Sequence, residues 1–321
     1  MGITNFDLVR ANSFIGGILG LPYVRKVIFV DVVNGGGGDG LSPATAFTTL
    51  SDAYAVAASG RNDVIVLIGD GAATGTARLS AGFTWAKHAT HLIGVCAPSH
   101  VSQRARIAPT AAVTAFAHLF TVSGNGCIFK DIQFFHGFDT GTTAQIALIV
   151  SGSRNTFLNC HIGGMGDTTS GNDAGSRSLK ITGGENLFDN CTIGLDTVVR
   201  SAANASVEFA SATARNRFTN CLFPFFTDDA TVLGIIGSGS GNMDRFQIFE
   251  RCKFINAIKS TSTAMTALAT LAASSGGLIL FDDCALVGIT DFGSDATTFA
   301  QMFVMGPVPT AATSGLAVAT A

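Results

Sequence analysis

Hydrophobic and polar positions along this chain fall into a six-residue phrase that returns at a fixed interval. It reads Phe157-Leu-Asn-Cys160-His-Ile162, Phe188-Asp-Asn-Cys191-Thr-Ile193 and Phe218-Thr-Asn-Cys221-Leu-Phe223. It continues as Phe249-Glu-Arg-Cys252-Lys-Phe254 and Phe281-Asp-Asp-Cys284-Ala-Leu286. An earlier copy, Phe129-Lys-Asp-Ile132-Gln-Phe134, carries Ile in place of Cys. The cysteines of the phrase are 31, 30, 31 and 32 residues apart. A fixed period of this size marks a solenoid.

Phe, the residue three later and the residue two after that cannot share one face of a flat strand, because side chains alternate with period two. They can if the chain turns a corner at the residue before Cys, which is Asp131, Asn159, Asn190, Asn220, Arg251 or Asp283. Asn and Asp are the non-glycine residues that most readily take a left-handed backbone. The phrase therefore predicts a strand ending in an inward Phe, a corner, and a second strand with Cys and Ile inward. A further apolar run precedes each phrase, at 119–122, 146–150, 179–181, 207–209, 233–236 and 267–271. Two or three short strands per repeat describe the coils of a parallel β-helix, stacked at about 4.8 Å. Equivalent residues then form ladders of Phe, of Cys and of corner Asn or Asp.

The corner ladder and the stacked inward Phe and Cys resemble the right-handed parallel β-helix family, the pectate-lyase-like superfamily. The resemblance spans most of the chain. It implies an all-β, single-stranded right-handed solenoid with an N-terminal capping helix, and by itself it carries no activity. Val30-Asp-Val-Val-Asn-Gly35 and Asp39-Gly-Leu-Ser-Pro-Ala-Thr-Ala-Phe47 also resemble the start of phage and bacterial β-helix proteins, where such a stretch leads into a capping helix. The expected divisions are an arm at 1–26, a strand–helix–strand cap at 27–71, the β-helix at 72–305 and a tail at 306–321. In the cap, Val27–Asp31 and Asp63–Ile68 read as strands and Ala46–Ala58 as a helix with Phe47, Leu50, Tyr54 and Ala57 on one stripe. Pro43 suits a first helical turn. Gly35, Gly37 and Gly40 fit the dinucleotide pattern G-x-G-x-x-G only because the run is oligoglycine, and that reading is rejected.

The 321 residues carry a net charge of −3 and only 13% charged side chains, with no Lys/Arg cluster to neutralise phosphates. No apolar run is long enough to span a bilayer. The start of the chain lacks the basic residues of a signal peptide, which argues against export and against a surface adhesin. Seven cysteines in an oxidising compartment would suggest disulfides. An inward ladder of reduced thiols is the simpler reading and fits a reducing cytosol. A linear stack cannot surround a tetrahedral zinc. His88 and His91 read as surface residues on strands rather than metal ligands.

Enzymes of the resembled family generally act on polysaccharides from a groove on the solenoid wall. Lyase members carry a calcium-binding acid cluster with a basic residue, and hydrolase members carry paired carboxylates. The outward position before the corner runs Lys130, Leu158, Asp189, Thr219, Glu250 and Asp282. Glu250 and Asp282 would sit on adjacent coils, about 5 Å apart, as a retaining glycosidase pair requires. Arg251 and Lys253 lie close by. The competing reading is a solvated wall of charges that neutralise one another. One Trp, two Tyr and three Glu in the whole chain count against a glycan groove. The sequence alone thus leads to a non-enzymatic structural protein of a phage particle, a decoration, cement or fibre subunit. Its expected state is a homotrimer bound to the major capsid protein or another virion protein, located in the virion after assembly in the host cytoplasm. It has no catalytic, cofactor or metal residues on this reading, and no nucleic-acid or membrane partner. A tailspike-type polysaccharide-degrading hydrolase or lyase is the alternative.

Overall fold

The computed structural model describes residues 14–95, 105–110, 117–137, 144–256, 263–272 and 276–305. The expected tail at 306–321, the first half of the arm and Cys96 lie outside the described residues. The chain winds as a parallel β-helix with three walls. Among the described residues wall 1 holds ten strands and walls 2 and 3 hold eight each. Each coil runs along wall 1, turns the corner into wall 2, and returns by a longer connection to wall 3. Leu187–Asp189, Thr192–Ile193 and Ala205–Phe209 are one such succession. All strand pairs are parallel and link one coil to the next, as in Phe157↔Phe188 and Phe188↔Phe218.

The corner is built as its residue types predict. Asp131, Asn159, Asn190, Asn220, Arg251 and Asp283 all have φ between 50° and 57°, the left-handed region. The bend lets Phe and Cys both point inward, and buried area drives the stacking. Phe129, Phe157, Phe188, Phe218 and Phe249 form a column with ring centroids 4.9, 4.7, 4.7 and 4.5 Å apart and planes within 8° of parallel. Phe281 ends it, 5.3 Å beyond Phe249. The thiols of Cys160, Cys191, Cys221, Cys252 and Cys284 fill the angle behind the column. Each donates to the carbonyl of the Phe one coil earlier, at 3.3 to 3.5 Å.

A second ladder lines the turn from wall 3 to wall 1. Asn155, Asn186, Asn216 and Gln247 are fully buried. The side-chain oxygen of each accepts the backbone N–H one coil earlier, from Cys127 at 2.8 Å, Asn155 at 2.9 Å, Asn186 at 3.0 Å and Asn216 at 3.2 Å. These amides satisfy turn N–H groups that have no strand partner.

The N-terminal end is closed by a helix, Leu50–Val56, shorter than the span 46–58 that the apolar stripe predicts. Pro43–Thr45 instead makes a separate 3-10 turn capped by Ser42, and the backbone is extended at Ala46. Thr49 caps the helix proper by accepting from Asp52 N at 3.1 Å. Leu50 and Ala53 face the core. The oligoglycine loop is a packing device: a Cβ on Gly35 would lie 2.4 Å from the carbonyl of Asp31. The described part of the arm folds back on its own solenoid. A short helix at 14–19 sets Leu19 against Val27, Val64, Val66 and Ile93 on the outside of wall 1. No helix among the described residues is long and apolar enough to cross a membrane.

Candidate functional site

All three glutamates are held by cations: Glu185 pairs with Arg154 and Arg215 on the turn before wall 1, and Glu250 and Glu208 gather clusters on different walls. The first is at the corner of the later coils. Glu250 and Asp282 are register partners on wall 1, so the structure brings this sequence-predicted pair onto adjacent coils. Glu250 does not face Asp282 alone. Its two carboxylate oxygens accept from Arg217 and Arg251 in close ion pairs. Arg217 comes first among the causes that hold the Glu250 carboxyl below the usual range, with Arg251 adding to it. A retaining pair needs one carboxylic acid as proton donor. Two arginines on the Glu250 carboxylate favour its ionised form over the protonated form a donor needs.

Arg251 is held at both ends of its guanidinium. It donates to Glu250 and, through Nε, to Asn220 Oδ1 at 2.9 Å. The Asn220 contact joins two successive corner residues of the ladder. A groove of about 520 Å³ opens here, lined by Asn190, Asn220, Arg251, Lys253 and Asp283 together with Cys221, Leu222 and Ala285. Amides, two cations and one carboxylate make a polar, predominantly positive cleft along the stacking direction.

The second cluster is on wall 3. Glu208 accepts from Arg177 Nε at 2.9 Å, Lys180 Nζ at 2.8 Å and Ser238 Oγ at 2.6 Å. The Glu208 and Arg177 side chains are each 8% exposed and Lys180 is 30% exposed. Burial pushes the Glu208 carboxyl up, but hydrogen bonds from Lys180 and Ser238 and the charge of Arg177 outweigh it and leave it below its ordinary value. Arg200 is buried beside this cluster, on the connection between walls 2 and 3. It donates to Asn204 Oδ1, Ser206 Oγ and the Leu233 carbonyl, and lies 5.3 Å over the Phe225 ring. Burial, reinforced by the Arg177 charge, lowers its pKa to about 9. The sequence reading missed this cluster. Lys180 and Glu208 follow inward-facing Leu179 and Val207 and are register partners, but the unequal connections before them hide the alignment.

His91 is not a surface residue. It is 1% exposed, its Nδ1 accepts from Ile128 N at 3.0 Å, and burial lowers its pKa to about 4. His88 Nδ1 likewise accepts from Asn125 N at 3.0 Å. Both rings join one coil to the next. Among the described residues no three His, Cys, Asp or Glu side chains converge as metal ligands. The groove pairs one carboxylate with two cations, a donor set that does not fit a calcium cluster.

No protein-family description matches the chain, and no curated protein matches it in sequence. Solved structures do match. Pectin methylesterase PemA from Erwinia chrysanthemi is similar at 16% identity and a TM-score of 0.54, over 85% of this chain and 81% of that one. A pectin methylesterase in complex with a hexasaccharide matches at 15% identity and a TM-score of 0.54, over the same shares of the two chains. The pectate lyase Pel9A matches at 12% identity and a TM-score of 0.52, over 90% of this chain and 82% of that one. At these identities the likeness establishes the scaffold, a right-handed parallel β-helix. It also corrects the expectation of a non-enzymatic virion subunit. These three are named as pectin methylesterases and a pectate lyase, and none is named as a phage protein. The 13% share of charged side chains goes with a long core of stacked apolar ladders.

Proposed function

We propose that this chain is a polysaccharide-acting enzyme that cleaves an acidic glycan by elimination in the corner groove. The observation that carries the reading is the clamped Arg251, fixed by Glu250 and Asn220 and flanked by Lys253 in a cleft along the coils. The structural likeness to enzymes named for pectin and pectate supports it. A uronate carboxylate paired with Arg251 loses charge, which acidifies the hydrogen on the adjacent carbon. Asp283, the carboxylate lining the groove, takes that proton. The electron pair forms the new double bond, the glycosidic C–O bond breaks, and the Lys253 ammonium protonates the leaving oxygen. Glu250 acts as a positioning residue for Arg251 rather than as a nucleophile. Asn190 and Asn220 offer amides to sugar hydroxyls.

The test is incubation of the full chain with polygalacturonate, alginate and a neutral glucan. Unsaturated, ultraviolet-absorbing ends from an acidic polymer, and none from the glucan, are expected. New reducing ends without unsaturation would replace elimination with hydrolysis. Methanol release from esterified pectin without chain cleavage would replace it with ester hydrolysis. No product from any polymer would overturn the enzyme reading.

A further inference from the structure

Wall 1 has an apolar outer face at both of its ends, and the arm covers only one of them. Over the first strands, Val27, Val64, Val66 and Ile93 are buried beneath Leu19, with Ile15, Leu21 and Val24 packed beside it. The last three strands of the wall are Asp244–Glu250, Gly276–Asp282 and Met302–Met305. There Gln247, Phe249, Ile279 and Phe281 are fully buried inside the coil. Strand alternation then turns Phe246, Ile248, Leu278, Leu280, Phe303 and Met305 outward. Their register sets Phe246 beside Leu278, and Ile248, Leu280 and Phe303 in one row. The patch is bare, with Phe303 54% and Met305 51% exposed.

The arm has a second apolar face of its own. Leu19 meets the wall, whereas Phe14 and Ile18, one turn apart on the helix at 14–19, are exposed, as is Tyr23 beyond it. Eleven large apolar side chains are exposed among the described residues, and six of them belong to these two patches. Single apolar residues scattered over a surface need no explanation, but contiguous patches mark contacts. The charges beside the two patches are opposite in sign. Lys26 follows the arm, and Asp282 is the register partner of Met305.

The two patches also sit at matching places. Wall 1 has ten strands in order along the solenoid, with the arm over the first three and the bare patch on the last three. A two-fold axis across the middle of the wall exchanges first with last, second with ninth and third with eighth. A helix is a layer about 10 Å thick, so the arm leaves a step on the wall. The same step on a second copy, turned end for end, fills it.

We infer that the outer face of wall 1 binds a second copy of this chain, antiparallel, with the exposed face of each arm seated on the bare patch of the other copy. Each copy gives and receives the same contact, so the interface closes at two chains. None of the residues lining the corner groove belongs to either patch, and the groove stays open in the pair.

The test is the mass of the full chain in solution by light scattering, from dilute to concentrated samples. A particle of twice the 32.9 kDa of one chain is expected. Ile18→Lys and Phe303→Glu, each checked for fold by circular dichroism, should each weaken association about 30-fold or more. Both side chains are exposed in the single chain, so neither change enters the core. The chain carrying both substitutions should pair again, because each lysine then meets a glutamate across the interface. A monomer at every concentration, with the patch bare or covered by the chain's own residues 306–321, would overturn the inference. So would a mass that grows beyond two chains, a dimer indifferent to Ile18→Lys, or a double variant that stays apart.

Discussion

Each coil makes two kinds of turn, and they solve the same problem in opposite ways. The corner between walls 1 and 2 is one left-handed residue, repeated from Asp131 to Asp283 with nearly constant φ. The return from wall 2 to wall 3 differs in every coil. It runs from Gly163 to Arg177, from Ile193 to Ala205 and from Phe225 to Leu233. One of these returns holds a short helix capped by Asp167, and another is pinned by the buried Arg200. The corner's order is communal, since each copy is stabilised by the copy above and below. The returns are ordered individually. The Glu250 and Glu208 clusters inherit this difference. Glu250 rests on an exposed regular wall with two half-exposed arginines, and Glu208 sits beneath the irregular returns with a buried one.

That contrast predicts unequal costs. Glu208→Ala strands the buried Arg177 without its carboxylate and should cost about 3–5 kcal/mol in denaturant unfolding. Glu250→Ala, an exposed pair, should cost about 1 kcal/mol or less. Equal losses would show that the two clusters are not energetically distinct. Within the regular side, Phe218→Ala removes a ring stacked on both neighbours and should cost about 3–5 kcal/mol. Asn190→Ala keeps the core and loses the left-handed preference and a ladder bond, a cost of about 1–2 kcal/mol. If Asn190→Ala matched Phe218→Ala, the corner rather than the column would dominate.

A smaller effect separates the buried histidines from solvent. His91 and His161 are held neutral by burial, with pKa values lowered to about 4. The unfolded chain takes up these protons first, near pH 6.5. The stability they carry is complete above about pH 6.5 and falls as pH drops towards 4. Below the ordinary glutamate range the Glu208 contribution follows as that carboxylate protonates. Denaturation midpoints measured from pH 8 to pH 4 should therefore decline, and His161→Gln should flatten the upper part of the curve. An identical slope in the variant would remove His161 from the account.

The regular side was legible in the sequence because communal order repeats. Phe, corner Asn and Cys recur together, so the inward column, the left-handed φ values and the thiol ladder could all be read from spacing. The buried amides of Asn155, Asn186 and Asn216 were equally periodic, two residues before each Phe, yet sat among turn-forming residues that already explained them. Gln247 then breaks the residue type while keeping the role, because its longer side chain reaches the same N–H of Asn216. Arg177, Lys180, Glu208 and Ser238 come together only after returns of unequal length fold over wall 3, so no fixed interval announces them. At the candidate site, the adjacency of Glu250 and Asp282 was visible in the repeat. Arg251 was visible beside the pair, but the clamp was not, since Arg217 lies just before the phrase and reaches Glu250 from the preceding coil.

The most direct test of the central claim compares turnover of an acidic polysaccharide by Arg251→Ala and Lys180→Ala, with folding checked by circular dichroism. Arg251 lines the corner groove, and Lys180 is the more exposed cation of the wall 3 cluster. If the groove is the site, Arg251→Ala should lower kcat/KM at least 100-fold, about 2.7 kcal/mol of transition-state stabilisation, while Lys180→Ala stays within about threefold of the unmodified chain. Activity that survives Arg251→Ala and disappears with Lys180→Ala would contradict the account and move the chemistry to wall 3.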